Sequence, residues 1–207
     1  MAIFHYFSKD ENKRARFIFN FIAPIYGRVT HSLEDNFIYS IKTLQKHVAI
    51  NGKQVMDLGT GTGAWGANFR NSGAQKVVGV DFAARMLEKA KDKYPDMEFV
   101  QGDAENLEQF PDNSFDIVTA SFVLHGVKED KRKKMLNEMR RISRKHVVIH
   151  DFVGETPLFI RFLEFMERSD YKFFKKNFCK ELKDNFVHAQ RIPVKFGTGI
   201  YIAEKET

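Results

Sequence analysis

The sequence predicts an α/β fold: a doubly wound, mostly parallel seven-stranded sheet, with an antiparallel hairpin at its C-terminal edge and a helical extension in front. Three observations predict it. From Asn51 onward, short apolar runs alternate with helical patterns, as a parallel sheet requires. The first run passes through Val55-Met56-Asp57-Leu58 into Gly59-Thr60-Gly61-Thr62-Gly63. Glycine at every second position lets backbone approach a ligand where a side chain would collide. The second run, Lys76 to Val80, ends on Asp81, where such a sheet holds a ribose through its hydroxyls. Loop and acid together imply a nucleoside-bearing cofactor.

The elements follow in order. A charged patch, Lys9 to Arg16, runs into Phe17-Ile18-Phe19-Asn20-Phe21-Ile22 and stops at Pro24. This reads as a helix from Asn12 to Ala23 and a turn at Tyr26-Gly27. A second helix is expected over Leu33 to Val48, with Leu33, Phe37, Ile41 and Leu44 on one stripe. Residues 1–50 thus form a helical cap of the same domain, ahead of a cofactor-binding unit over 51–207. Strand Gln54–Leu58 leads through the glycine loop to a helix ending near Gly73. Strand Lys76–Val80 leads to helix Ala84–Lys93, which Pro95 closes. Met97–Gln101 and Phe115–Ser121 are the next strands, then helix Asp130–Ile142 and strand His146–His150. Thr156-Pro157 reads as an N-cap and first-turn proline of a helix to about Ser169. Arg191 to Glu204 reads as two extended runs around Gly197-Thr198-Gly199, a hairpin.

The bulk numbers bound the partners. At 207 residues the chain suits one core. With 43% hydrophobic and 29% charged residues, its composition is that of a globular protein. A net charge of +6 permits acidic substrates, nucleic acid or an anionic membrane, and equally serves solubility. Cys179 is the only cysteine, which excludes an intramolecular disulfide or a zinc cluster. The opening residues meet Lys9-Asp10-Glu11 too early for a signal-peptide core, and no stretch approaches membrane-spanning length. A cytoplasmic location is expected.

Gly61-Thr62-Gly63-Ala64-Trp65-Gly66 matches a dinucleotide fingerprint, a weak signal alone. Three details oppose a nicotinamide cofactor. Asp57 would repel a pyrophosphate, the glycines begin at Gly59, and no second mononucleotide unit follows the fifth strand. A P-loop is excluded because no lysine with serine or threonine follows the glycines. A cofactor with a cationic amine in place of phosphates suits Asp57 better.

The runs V-M-D-L-G-T-G-T-G, D-F-A-A-R-M-L, Q-G-D-A-E-N-L and F-D-I-V-T-A-S-F-V-L-H-G-V, in this order, resemble those of the class I S-adenosylmethionine-dependent methyltransferases. Within that family the chain is similar to the small-molecule group that includes the ubiquinone/menaquinone-biosynthesis enzymes. The resemblance spans roughly Tyr26 to Asp151 and implies a Rossmann-like methyltransferase fold with S-adenosyl-L-methionine as cofactor. It implies that Gly59, Thr60, Gly61 and Gly63 floor the methionine part and that Asp57 orients its amine end. Asp81 would accept the ribose hydroxyls, and Phe82 and Met86 would flank the adenine. Asp103 would accept the exocyclic amine while Ala104 donates its N–H to the ring. Ser121 and Phe122 would line the methionine side, and Tyr26 would lie over the cofactor. Met86 and Phe82 read equally well as core, and Asp103 as a turn residue.

Methyl transfer is an in-line displacement that mostly needs alignment, with a base only for a weakly acidic acceptor. Strand-end candidates are His125, His150 and Asp151; His125, just past the fourth strand, is the expected base or else shapes the pocket floor. His146 and His150 share a strand face, but no third ligand accompanies them, so no metal is expected. The chain departs from the quinone-methylating relatives at Ile142-Ser143-Arg144-Lys145, where they carry a lysine-proline-glycine-glycine turn. Their front-end signature is also missing beyond Tyr26. A single cysteine excludes arsenite methylation. The aromatic and basic stretch 152–186 is expected to build the acceptor pocket. Its interleaving also suits RNA. The expected activity is methyl transfer to a small-molecule acceptor. The alternatives are a non-catalytic cofactor-binding module and an RNA methyltransferase, the latter without an N-P-P-Y-type motif.

Overall fold

A computed structural model describes residues 35–154 and 170–206 of the chain. Tyr26, the helix expected before Pro24 and the helix expected after Thr156 lie outside these residues. The first helix described, α1, covers 35–44. Then come β1 (Gln54–Leu58), α2 (Ala64–Asn71), β2 (Lys76–Asp81), α3 (Ala84–Lys93), β3 (Glu98–Gln101) and β4 (Phe115–Ser121). A 3₁₀ turn (Leu124–Gly126), α4 (Glu129–Ile142) and β5 (Ser143–Phe152) follow, and α5 (Tyr171–Asn185), β6 (His188–Pro193) and β7 (Thr198–Glu204) complete the order.

The strands form one seven-stranded sheet in the order β3-β2-β1-β4-β5-β7-β6. The pairs among β1 to β5 are parallel, and β7 pairs antiparallel with both β5 and β6. The predicted class and hairpin edge are therefore as observed. Strand residues alternate between two apolar layers, the consequence of the two-residue period. Met56, Leu58, Val118, Ala120, Val147 and Ile149 face α4 and α5; Val55, Val77, Ile117, Val148, Ile200 and Ile202 face α1, α2 and α3. The front helix is part of this core, because Phe37, Ile41 and Leu44 are buried in the second layer.

Element ends moved where tertiary pairing adds residues. β5 was expected over His146–His150 but runs from Ser143, opposite Phe115, to Phe152, opposite Thr198. β6 starts at His188 rather than Arg191, and its Pro193 is tolerated because β6 is an edge strand. The larger omission is α5. The sequence reading saw only an aromatic-basic stretch there, although Tyr171, Phe174, Phe178 and Leu182 carry helical spacing and are all buried.

The strand order reverses between β1 and β4: one leads outward to β2 and β3, the other to β5. In open α/β sheets the crevice beyond the carboxyl ends of the strands, at such a switch point, is where ligands bind.

Candidate cofactor cleft at the switch point

On the β1–β2 side, the chain leaves β1 through three glycines in left-handed backbone: Gly59 (φ 67°), Gly61 (φ 55°) and Gly63 (φ 84°). They do different work. A Cβ on Gly59 would lie 2.5 Å from Val123 Cγ2, and one on Gly63 would lie 2.9 Å from the Tyr94 ring. At Gly61 nothing among the described residues lies within 4 Å, so its bare side is open to them. Gly59 and Gly63 serve packing; Gly61 alone offers the side-chain-free approach that the sequence suggested.

Two carboxylates hold this bend. Asp57 Oδ2 accepts from the Thr60 hydroxyl at 2.7 Å and from the Gly66 N–H at 3.0 Å, so it satisfies an otherwise open donor in the first turn of α2. Burial pushes the Asp57 carboxyl up to about 7, opposed by these two hydrogen bonds and reinforced by the nearby Asp81. Asp81 Oδ2 accepts the Gly61 N–H at 2.9 Å, and its Oδ1 accepts the Ala83 N–H at 2.8 Å. A carboxylate oxygen can accept more than one donor, and a ligand hydroxyl is among the donors it accepts. Further along the same edge, Gln101 Nε2 donates to Phe82 O and Gly102 N–H to Asp81 O, which ties the β2 and β3 ends together. Phe82 and Asp103 are exposed here, with Met86 and Ala104 half-buried behind them. Asp103 Oδ1 accepts the Glu105 N–H at 3.0 Å, closing the turn.

On the β4–β5 side, Ser121 at the end of β4 meets His150 Nδ1 at 3.0 Å, and Ser40 of α1 meets His150 Nε2 at 3.1 Å. The imidazole stacks on Trp65 with centroids 4.8 Å apart, and Trp65 Nε1 donates to Thr119 Oγ1. Burial drives His150 down to about 3, so it stays neutral and bridges two hydroxyls. The expectation that His150 faces the crevice is thus corrected: its side chain lies inside, beneath α1. His146, earlier on β5, has its Nδ1 4.0 Å from Glu204 of the neighbouring β7, away from this bridge. Phe122 follows with φ 55°, its N–H bonded to His150 O at 2.9 Å.

His125 and Asp151, from separate strand ends, are brought together. His125 Nδ1 lies 2.7 Å from Asp151 Oδ1. Asp151 also accepts the His125 N–H at 3.2 Å and the Phe152 N–H at 2.8 Å. Phe152, Phe122, Tyr171 and Phe174 surround the imidazole. The turn carrying His125 is pinned by Arg132, fully buried in α4. Its guanidinium donates to Val127 O at 2.6 Å and, through two N–H groups, to both Glu181 oxygens. Sequence reasoning missed Ser40, Trp65, Arg132 and Glu181. No local spacing connects them to the site.

Comparison with known proteins bears on this geometry. A family described as a methyltransferase domain matches residues 55–146. A demethylmenaquinone methyltransferase of Renibacterium salmoninarum is 38% identical over 125 residues, covering 58% of this chain and 51% of that protein. Over its sheet the chain is thus similar to methyltransferases. A second relative, the demethylmenaquinone methyltransferase of Lactococcus lactis, is 29% identical over 189 residues, 86% of this chain and 74% of that one. The chain spans about half the length of the Renibacterium relative. The fold is similar to that of magnesium protoporphyrin IX methyltransferase of Synechocystis PCC 6803 with bound S-adenosylhomocysteine. That structure has a TM-score of 0.65 at 19% identity and covers 97% of both chains.

Proposed function

We propose that this chain binds S-adenosyl-L-methionine in the cleft and transfers its methyl group to a small-molecule acceptor. The observation that carries the reading is Gly61, whose open, left-handed backbone lies within one hydrogen bond of a buried strand-end acid. The residues suit the cofactor's chemistry. Asp57 and the Gly59–Gly63 bend would face its amino-acid end, with Thr60 holding Asp57 in place. Asp81 would take the ribose hydroxyls; Phe82, Met86, Asp103 and Ala104 would frame the adenine; Ser121, Phe122 and Tyr26 would close the methionine side. The bound cofactor supplies an electrophilic methyl on a sulfonium, which leaves as a neutral thioether. The protein's work is then alignment and exclusion of water. For an acceptor with a weakly acidic proton we assign His125 as the base, with Asp151 holding its ring and balancing the imidazolium charge.

The 152–186 stretch is proposed to complete the acceptor pocket where Tyr171 and Phe152 meet His125. The relatives' names put a quinone-type acceptor first in a panel. The missing turn at Ile142-Ser143-Arg144-Lys145 makes other aromatic acceptors worth equal effort.

Calorimetry with S-adenosylmethionine, S-adenosylhomocysteine and NADH tests the cofactor. Binding of the first two and not the third is expected; preference for NADH overturns the reading. Asp81→Ala should weaken S-adenosylhomocysteine binding by about 1.5–3 kcal/mol, the scale of charge-assisted hydrogen bonds. Unchanged affinity would remove Asp81 from the ribose site.

A further inference from the structure

The aromatic and basic residues that alternate from Tyr171 onward separate once α5 forms. Tyr171, Phe174, Phe178 and Leu182 are buried, most of them against the sheet. Lys172, Lys176, Lys180 and Lys183 are exposed, and their helical spacing puts them on the opposite face. None of these lysines is paired with a carboxylate among the described residues. Of the two acids in the helix, Glu181 is turned inward onto Arg132, and Asp184 is exposed at the C-terminal end of the stripe. Lys175 is set apart, its Nζ 3.3 Å from the Tyr171 hydroxyl. Phe173, 41% exposed, flanks the first turn of the stripe.

This sorting distinguishes between polyanions. Of the rings on this helix only Phe173 is outside, so a single strand finds one ring and no row of them to stack along. What remains outside is a straight basic ridge of about 16 Å with one apolar side chain at its end. A polybasic ridge drawn to an anionic leaflet presents that pattern. We propose that the exposed face of α5 docks this protein on an anionic phospholipid bilayer, with the lysines at the phosphates and Phe173 inserted beneath them. The stripe begins where α5 meets the β4–β5 end of the sheet, since Tyr171 packs on Phe152 at 5.3 Å. Docking would therefore bring that end of the cleft to the membrane.

The test is sedimentation of the full chain with vesicles of phosphatidylglycerol and phosphatidylcholine, against vesicles of phosphatidylcholine alone. Binding to the mixed vesicles only, released by high salt, is expected. Lys176→Gln with Lys180→Gln should lower the partition coefficient about fivefold per lysine, the weight of one basic side chain at an anionic leaflet. Phe173→Ser should lower it further at moderate salt. Lys42→Gln with Lys46→Gln, an exposed pair on and beyond α1, should leave it unchanged. Absence of vesicle binding overturns the proposal, and so does an equal loss in the Lys42/Lys46 control, which would mean diffuse charge. Stripe variants that lose single-stranded RNA binding, when vesicles are not bound, would instead assign the face to nucleic acid. Circular dichroism separates misfolding from lost docking, and none of these readouts depends on the cofactor assignment.

Discussion

The two sides of the switch point lie on one edge of one sheet and are built from different material. Beyond β1 and β2, backbone shapes the surface: three left-handed glycines bend the chain, and two carboxylates hold the bend by accepting a hydroxyl and three N–H groups. Beyond β4 and β5, side chains shape it: a neutral histidine bridging two serines, a histidine against an aspartate, and a buried arginine underneath. The first side suits a ligand common to a whole family, because backbone geometry is indifferent to neighbouring substitutions. The second suits an acceptor that differs between relatives, because side chains can be exchanged one by one without disturbing the bend. One sheet edge can thus carry a wall set by backbone beside a wall set by exchangeable side chains.

The sharpest way to break this contrast is to remove the strut of the side-chain wall. Arg132→Ala leaves Glu181 buried without its cation and should cost about 3–5 kcal/mol in urea unfolding. Arg132→Lys should recover part of that loss, since one ammonium cannot reach Val127 O and both Glu181 oxygens at once.

Within the backbone wall, the glycines should separate by role. Gly59→Ala combines left-handed backbone with a clash against Val123 and should cost about 2–4 kcal/mol. Gly61→Ala meets no neighbour and should cost only about 1–2 kcal/mol. It should nevertheless lose more S-adenosylhomocysteine affinity than stability, because its new methyl enters the open side. Thermal unfolding beside calorimetry reads both; equal losses would mean the open side is not the cradle.

The effect least visible in the wild type is a matter of pH, at most about 1.4 kcal/mol per pH unit for each group. Asp57 titrates near 7 in the fold against 3.8 unfolded, so the folded chain binds the extra proton and stability falls as pH rises from about 4 to about 7. His150 has the opposite sign. It titrates near 3 in the fold against 6.5 unfolded, so stability falls as pH drops below about 6.5. In the wild type the two slopes offset each other between about pH 4 and 6.5. His150→Gln should expose the Asp57 slope, and Asp57→Asn the His150 slope, in denaturant titrations across that range. Flat profiles in both variants would mean that neither group titrates as its burial demands.

The backbone wall was legible in the sequence and the side-chain wall largely was not. Asp57, the glycines and Gly66 lie within one short run, and Asp81 sits at the end of the next apolar strand, so spacing alone assembles them. The parallel core strands were legible for a related reason: a strand buried on both faces reads as an unbroken apolar run. The other wall joins His125 to Asp151 across 26 residues, Arg132 to Glu181 across 49, and Ser40 to His150 across 110. No periodicity encodes such partners, and His150 at a strand end gave no sign that α1 would cover it. α5 was missed differently. Its helical spacing was present, but lysines set between phenylalanines drew attention to composition instead of period.

The helix 35–44 carries a practical consequence. Its Phe37, Ile41 and Leu44 cover the face of the sheet formed by Val55, Ile117, Val148 and Ile200. A chain shortened to begin at the first strand would present to water the part of that face that α2 and α3 leave to the front helix. Such a fragment should self-associate and precipitate even with its glycine loop intact.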